Sequence, residues 1–160
     1  MGESQMKTNE RLVLLNQRFE NPAEVISRLA GMAKEEGLVE ELFVVKLLER
    51  EIEYPTGLPM PVPLAIPHIS DGCCEPFVSI ATLAEPVLFK NMDRSGENIP
   101  AKIVFLFGIL DPKNQLSVLR RFARAFANGD DVGRLVAAKS PAALLRELDG
   151  ILEGMLDISW

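Results

Sequence analysis

I-V-F-L-F-G-I-L, residues 103–110, is the longest apolar run in the chain, and its reading decides the architecture. It is rich in β-forming residues and almost uninterrupted, the pattern of a strand covered on both faces at the centre of a sheet. Immediately after it, Asp111-Pro112 pairs a helix N-cap residue with a proline at the first helical position. Leu116, Leu119, Ala123 and Phe126 continue as a helical stripe that stops near Asn128-Gly129. A short helix is expected from Asp130 to about Ala138, and a last one from Ser140-Pro141, with Leu144, Leu145 and Leu148 inward and Gly150 as its stop.

Upstream of the central run, Phe77–Leu83 alternates as a strand, Val87–Phe89 forms a weaker one, and Asn91–Asn98 is a polar turn. Leu64–Ile66 reads as a short strand ended by Pro67. Two amphipathic helices precede it. One starts at Asn21-Pro22, with Glu24 in its first turn, buries Val25, Ile26, Leu29, Met32 and Ala33, and stops at Gly37. The other spans about Val39 to Ile52, with Leu42, Phe43, Leu47 and Leu48 inward. Leu12–Leu15 is an expected edge strand. Strands and helices interspersed in this way predict a single-domain α/β sandwich, a mixed sheet of four or five strands with helices on both faces. Its expected extent is residues 11–150, with 1–10 and 151–160 as tails.

The 160 residues suffice for one core, and 48% apolar with 25% charged residues is the composition of a folded globular chain. A formal net charge of −6 argues against nucleic-acid partners, whose phosphates are bound by an excess of Lys and Arg. No apolar run approaches the roughly 18 residues of a membrane span, and Met1–Arg11 lacks the apolar segment of a signal peptide. A cytoplasmic protein without direct membrane insertion is expected. The two cysteines, Cys73 and Cys74, are adjacent; neighbours rarely form a disulfide, and two thiols with one histidine make a poor zinc set. No metal or cofactor is expected.

The chain's one histidine, His68, lies in R-E-I-E-Y-P-T-G-L-P-M-P-V-P-L-A-I-P-H-I-S, residues 50–70. Pro55 disfavours helix at the residue before it, Gly57 permits a left-handed turn, and Pro59, Pro61 and Pro63 stiffen the loop that delivers His68. A neutral imidazole can accept a phosphoryl group, Arg50 can offer a planar cationic fork, and Thr56 can add a hydroxyl. Chemistry alone leaves a second reading open, in which His68 is an ordinary structural histidine and Arg50 a solvated cation at a helix C-terminus.

The order of residues supplies a resemblance. R-E-x-x-Y-P-T-G-L at 50–58, followed by A-I-P-H at 65–68, resembles the active-site signature of fructose/mannitol-type enzyme IIA components (EIIA type-2) of the bacterial sugar phosphotransferase system, over most of Ala23–Leu148. The resemblance implies a phosphotransferase intermediate: His68 takes a phosphoryl group from phospho-HPr and passes it to a cysteine of a cognate enzyme IIB, and Arg50 stabilises the phosphate. Membrane IIC would be engaged only indirectly. Many members carry a second histidine in an H-L pair after the central strand; here the pair is Gln115-Leu116. Gln115 offers an amide donor instead, and D/N-P-x-x-Q-L followed by L-R is similar to the galactitol-type branch. A nitrogen-related regulatory IIA, acting by phosphorylation-dependent protein binding, is the alternative. Cys73-Cys74-Glu75-Pro76 does not resemble a IIB acceptor loop, so both thiols are expected to be incidental. A partner-docking patch is expected from Leu58, Met60, Val62 and Ile69.

Overall fold

The computed structural model describes residues 5–158, and of residues 114 and 115 the backbone only. In chain order it contains strand β1 (Met6–Lys7), a 3-10 turn at Glu10–Leu12, strand β2 (Val13–Gln17), and helices α1 (Pro22–Glu35) and α2 (Glu41–Glu53). Three short strands follow, β3 (Gly57–Leu58), β4 (Leu64–Ala65) and β5 (His68–Ile69). A long hairpin of β6 (Phe77–Lys90) and β7 (Asn98–Gly108) leads into α3 (Pro112–Ala125), α4 (Gly129–Val136), α5 (Pro141–Ile151) and β8 (Leu156–Asp157).

The apolar run lies at the centre of the sheet, as its composition predicts. β7 pairs antiparallel with β6, with Ile80 opposite Phe105 and Val78 opposite Phe107. On its other edge it pairs in parallel with β4 and then β5, Leu64 opposite Ile103 and His68 opposite Phe107. β3 pairs antiparallel with β4. β2 and β1 lie parallel along the far edge of β6, and β8 lies parallel to β1.

The two faces of β7 explain why its sequence does not alternate. Ile103, Phe105 and Phe107 join Phe122, Phe126, Leu144 and Leu148 in a core under α3, α4 and α5. Val104 and Leu106 join Leu29, Ala30, Phe43 and Leu47 in a second core under α1 and α2. Phe105 stacks on Phe126 at 4.1 Å between centroids, and Phe107 meets Phe122 edge-on at 4.7 Å. Such ring pairs add about 0.5–1.5 kcal/mol beyond the area they bury.

Helix starts follow their caps. The Asn21 side chain accepts the Glu24 N–H at 3.0 Å, Asp111 accepts that of Lys113 at 3.2 Å, and Ser140 accepts that of Ala143 at 3.1 Å, each followed by a proline. Other expectations need correction. Among the described residues the sheet has eight strands, not four or five: β4 matches the strand expected at Leu64–Ile66, but β1, β3, β5 and β8 are two residues each, too short to show a period. The residues expected as tails supply β1 and β8: Met6 is fully buried, and its N–H donates to the Met155 carbonyl at 2.8 Å. Glu85-Pro86 does not divide β6; the strand runs on through a register shift between Thr82 and Val87, an irregularity where proline is tolerated.

Leu42 and Leu116 are 48% and 49% exposed, while Val118 and Phe122 take the inner face of α3. Gly129 begins α4 rather than ending α3. α5 runs past Gly150 to Ile151.

Candidate active site

Three elements converge beside the C-terminal ends of the parallel strands β5 and β7. β5 holds His68 in register with Phe107, and backbone bonds fix it on both sides: the Phe107 N–H donates to the Pro67 carbonyl at 2.9 Å and that of Ile109 to the Ile69 carbonyl at 3.0 Å. The last turns of α2 present Arg50, and the first turns of α3 bring Pro112 and Leu116. Together with Ser70, Asp71 and their neighbours these residues line an open cleft of about 310 Å³. Clefts at the carboxyl ends of strands are the usual ligand positions of open α/β sheets.

The His68 ring is oriented by its own backbone. Nδ1 lies 2.7 Å from the Ile66 carbonyl oxygen. A carbonyl only accepts, so Nδ1 carries the proton and the neutral ring keeps its lone pair on Nε2. Burial lowers the pKa of His68 below its ordinary 6.5, and the positive charge of Arg50 pushes the same way, against the bond to Ile66. The ring is therefore neutral at pH 7 and carries a free nitrogen in a half-buried setting.

Arg50 is exposed, with its guanidinium over the Tyr54 ring at 5.0 Å; Arg94, from the turn between β6 and β7, lies over the same ring at 5.2 Å. A ring face engages the cation and leaves its N–H donors free for an anion.

Of the four residues singled out from the sequence, the cleft brings His68 and Arg50 together. The backbone of Gln115 lies in the first turn of α3, and its side chain is outside the described residues. Thr56 is directed elsewhere. It is buried, its hydroxyl donates to Glu51 Oε1 and its N–H to Glu51 Oε2, both at 2.8 Å, and it does not line the cleft. Ser70 was not anticipated, although it stands two residues after His68 in extended chain and so on the same side. Of the expected apolar patch, Leu58, Met60 and Val62 are half-buried against the core under α3, while Ile69 lines the cleft. The exposed apolar side chains include Leu110 and Leu116 instead.

Gly57 has a different reason from the expected left-handed turn. It lies in β3, and a Cβ there would stand 2.7 Å from the Lys90 carbonyl oxygen and 3.1 Å from Ile99. Close approach to the β6–β7 hairpin, not positive φ, demands glycine. The thiol of Cys73 is pushed up to about 12, mainly by burial, and donates to the Glu75 carbonyl at 3.1 Å; Cys74 is exposed, and both are free. No helix of the described residues is long and apolar enough to cross a membrane.

Fold and cleft define an α/β sandwich domain in which a histidine from a short strand and an arginine from a helix end line one cleft. Residues 6–150 match the family described as phosphoenolpyruvate-dependent sugar phosphotransferase system, EIIA 2, and the chain belongs to that family. No match is found among curated proteins. Among solved structures the chain is similar to IIA mannitol from Escherichia coli, with TM-score 0.72 and 20% identity over 88% of this chain and 98% of that one. The complex of enzyme IIAMtl with phosphorylated enzyme IIBMtl from the same organism gives TM-score 0.72 and 20% identity, over 93% and 99%. Nitrogen regulatory protein IIA-Ntr from Neisseria meningitidis gives 0.68 and 18%, over 92% and 96%.

Proposed function

We propose that the protein is a cytoplasmic phosphocarrier of a sugar or polyol phosphotransferase system, with His68 as the phosphoryl acceptor. The observation that carries this reading is the state of the single histidine: Nδ1 is tied to the Ile66 carbonyl, leaving a lone pair on Nε2, in a cleft shared with Arg50.

The Nε2 lone pair attacks the phosphorus of phospho-HPr. The new N–P bond forms as the bond to the donor imidazole breaks, and the electron pair returns to the donor nitrogen. The thiolate of a IIB cysteine then attacks the same phosphorus, and Nε2 recovers its lone pair. Arg50 offers its fork to the phosphoryl oxygens, and the N-terminus of α3 adds a partial positive charge at the edge of the cleft. Phosphoryl transfer asks a protein chiefly for such positioning and charge stabilisation. A neutral acceptor needs no base to remove a proton, which suits a lowered imidazole pKa. Support for a IIB partner comes from the similar IIAMtl, solved with phosphorylated IIBMtl.

Gln115 supplies an amide donor in the first turn of α3, and with Gln115-Leu116 in place of an H-L pair the galactitol-type branch is the favoured system. The nitrogen-related regulatory reading draws on the likeness to IIA-Ntr. It predicts that phosphorylation changes binding to proteins other than IIB.

Incubation with labelled phosphoenolpyruvate, enzyme I and HPr tests the central step. Acid-labile label is expected on the wild type and absent from His68→Ala. Equal labelling of the two removes His68 from the chemistry.

A further inference from the structure

The cleft's histidine is connected to a buried carboxylate on the other side of the β3–β4 ladder. Glu51 follows Arg50 in α2 and is 9% exposed. Its two oxygens accept the backbone N–H and the hydroxyl of Thr56, each at 2.8 Å. The Thr56 carbonyl accepts the Ile66 N–H at 3.2 Å, and the Ile66 carbonyl accepts the His68 Nδ1–H at 2.7 Å. Four hydrogen bonds thus run without a break from carboxylate to imidazole, through two residues that are themselves buried.

We propose that Glu51 is a positioning residue for the imidazole: by clamping Thr56 at both its N–H and its hydroxyl, it fixes the Ile66 carbonyl that keeps the proton on Nδ1 and the lone pair on Nε2. The clamp is needed because the segment from Pro55 to Pro67 contains five prolines among its residues, so few of its amides can tie it down. β7 holds the segment at Leu64, Ala65 and the Pro67 carbonyl, but on the Thr56 side β3 and β4 share only two residue pairs, Gly57 with Ala65 and Leu58 with Leu64. Without the carboxylate, Thr56 loses its anchor, its bond to the Ile66 N–H no longer sets the tilt of that peptide between the points held by β7, the Ile66 carbonyl turns from the ring, and the imidazole can take the Nε2–H tautomer. In that tautomer no lone pair is available at Nε2 to reach phosphorus. A hydrophobic residue at 51 would fill the space but could not accept the two Thr56 donors, which would then be buried without partners.

This role rests on His68 being the phosphoryl acceptor, and the test separates the two. The chain has one histidine, so the imidazole 15N spectrum of labelled protein at pH 8 reports His68 alone. Wild type is expected as the Nδ1–H tautomer. Glu51→Ala is expected to show substantial Nε2–H tautomer and to accept phosphate from phospho-HPr about tenfold more slowly, with KM for the donor unchanged within about twofold. Glu51→Gln, whose amide can still accept the Thr56 N–H and donate to its hydroxyl, is expected to restore most of both properties. Should Glu51→Ala fail to fold by circular dichroism, Thr56→Val removes one of the two clamp bonds and is expected to shift the tautomer in part. An unchanged Nδ1–H tautomer in the folded variants overturns the proposal. Wild type that takes no label removes the phosphocarrier reading instead, and the tautomer measurement still decides the role of Glu51.

Discussion

Burial acts in opposite senses on the two titratable groups at either end of the hydrogen-bonded chain, because desolvation penalises whichever form is charged. The Glu51 carboxyl is raised from 4.5 to about 7, while His68 is lowered from 6.5. A raised carboxyl favours folding most when protonated, so its contribution is fully present below pH 4.5 and is lost as pH rises through about 7. The stability of wild type relative to Glu51→Gln should therefore decline across that window, by on the order of 3 kcal/mol. Urea unfolding at several pH values measures it, and a difference that does not change with pH contradicts the burial argument. The sign for His68 is reversed: its contribution is present above 6.5 and is lost as pH falls through the lowered value. Phosphoryl acceptance should accordingly hold its rate somewhat below pH 6.5, where an exposed imidazole would already be protonated. Arg50 is exposed, so Arg50→Ala should cost less than about 1 kcal/mol of stability, the worth of its contact with Tyr54. Loss of its charge should nevertheless slow labelling of His68 by about a hundredfold. A normal labelling rate would remove Arg50 from the site.

Strand β7 carries both cores, and truncating it should show how strongly. Phe105→Ala opens a cavity against the stacked Phe126 and is expected to cost about 3–5 kcal/mol in chemical denaturation. Gly57→Ala should destabilise as well, because the added methyl meets the Lys90 carbonyl, which cannot move without shifting the hairpin. The elements that were legible in the sequence are those with a long pattern or a cap: β7 from its apolar run, and α1, α3 and α5 from Asn21, Asp111 and Ser140, each before a proline. Of the two-residue strands only β4 was legible, from Leu64–Ile66 before Pro67; β1, β3, β5 and β8 exist only as partners of other strands. The N-terminal half of β7 was also missed, because Pro100 and Lys102 interrupt the apolar run while facing outward. His68 and Arg50 were singled out by residue order, and both line the same cleft. Thr56 shows the limit of that method. Its hydroxyl was read as a group for the phosphate, but the partner it takes is Glu51, five residues back across a helix end. Only the turn at Tyr54-Pro55 brings those two side chains together.

Across the whole molecule the sheet joins segments from both ends of the chain. Met6, Met155 and Leu156 are buried where β1 meets β8. Removing residues 153–160 should strip about 2–5 kcal/mol from the domain through lost apolar burial, seen as a lower urea midpoint; an unchanged midpoint would mean that β8 adds nothing to the core. The same pairing makes the polypeptide close to a ring. With residues 6 and 156 neighbours in one ladder, a few-residue linker could join β8 to β1, and new ends could be opened in the exposed turn at Ser95. Such a circular permutant should fold to the same sheet and keep the cleft, because none of the contacts around His68 depends on where the chain begins.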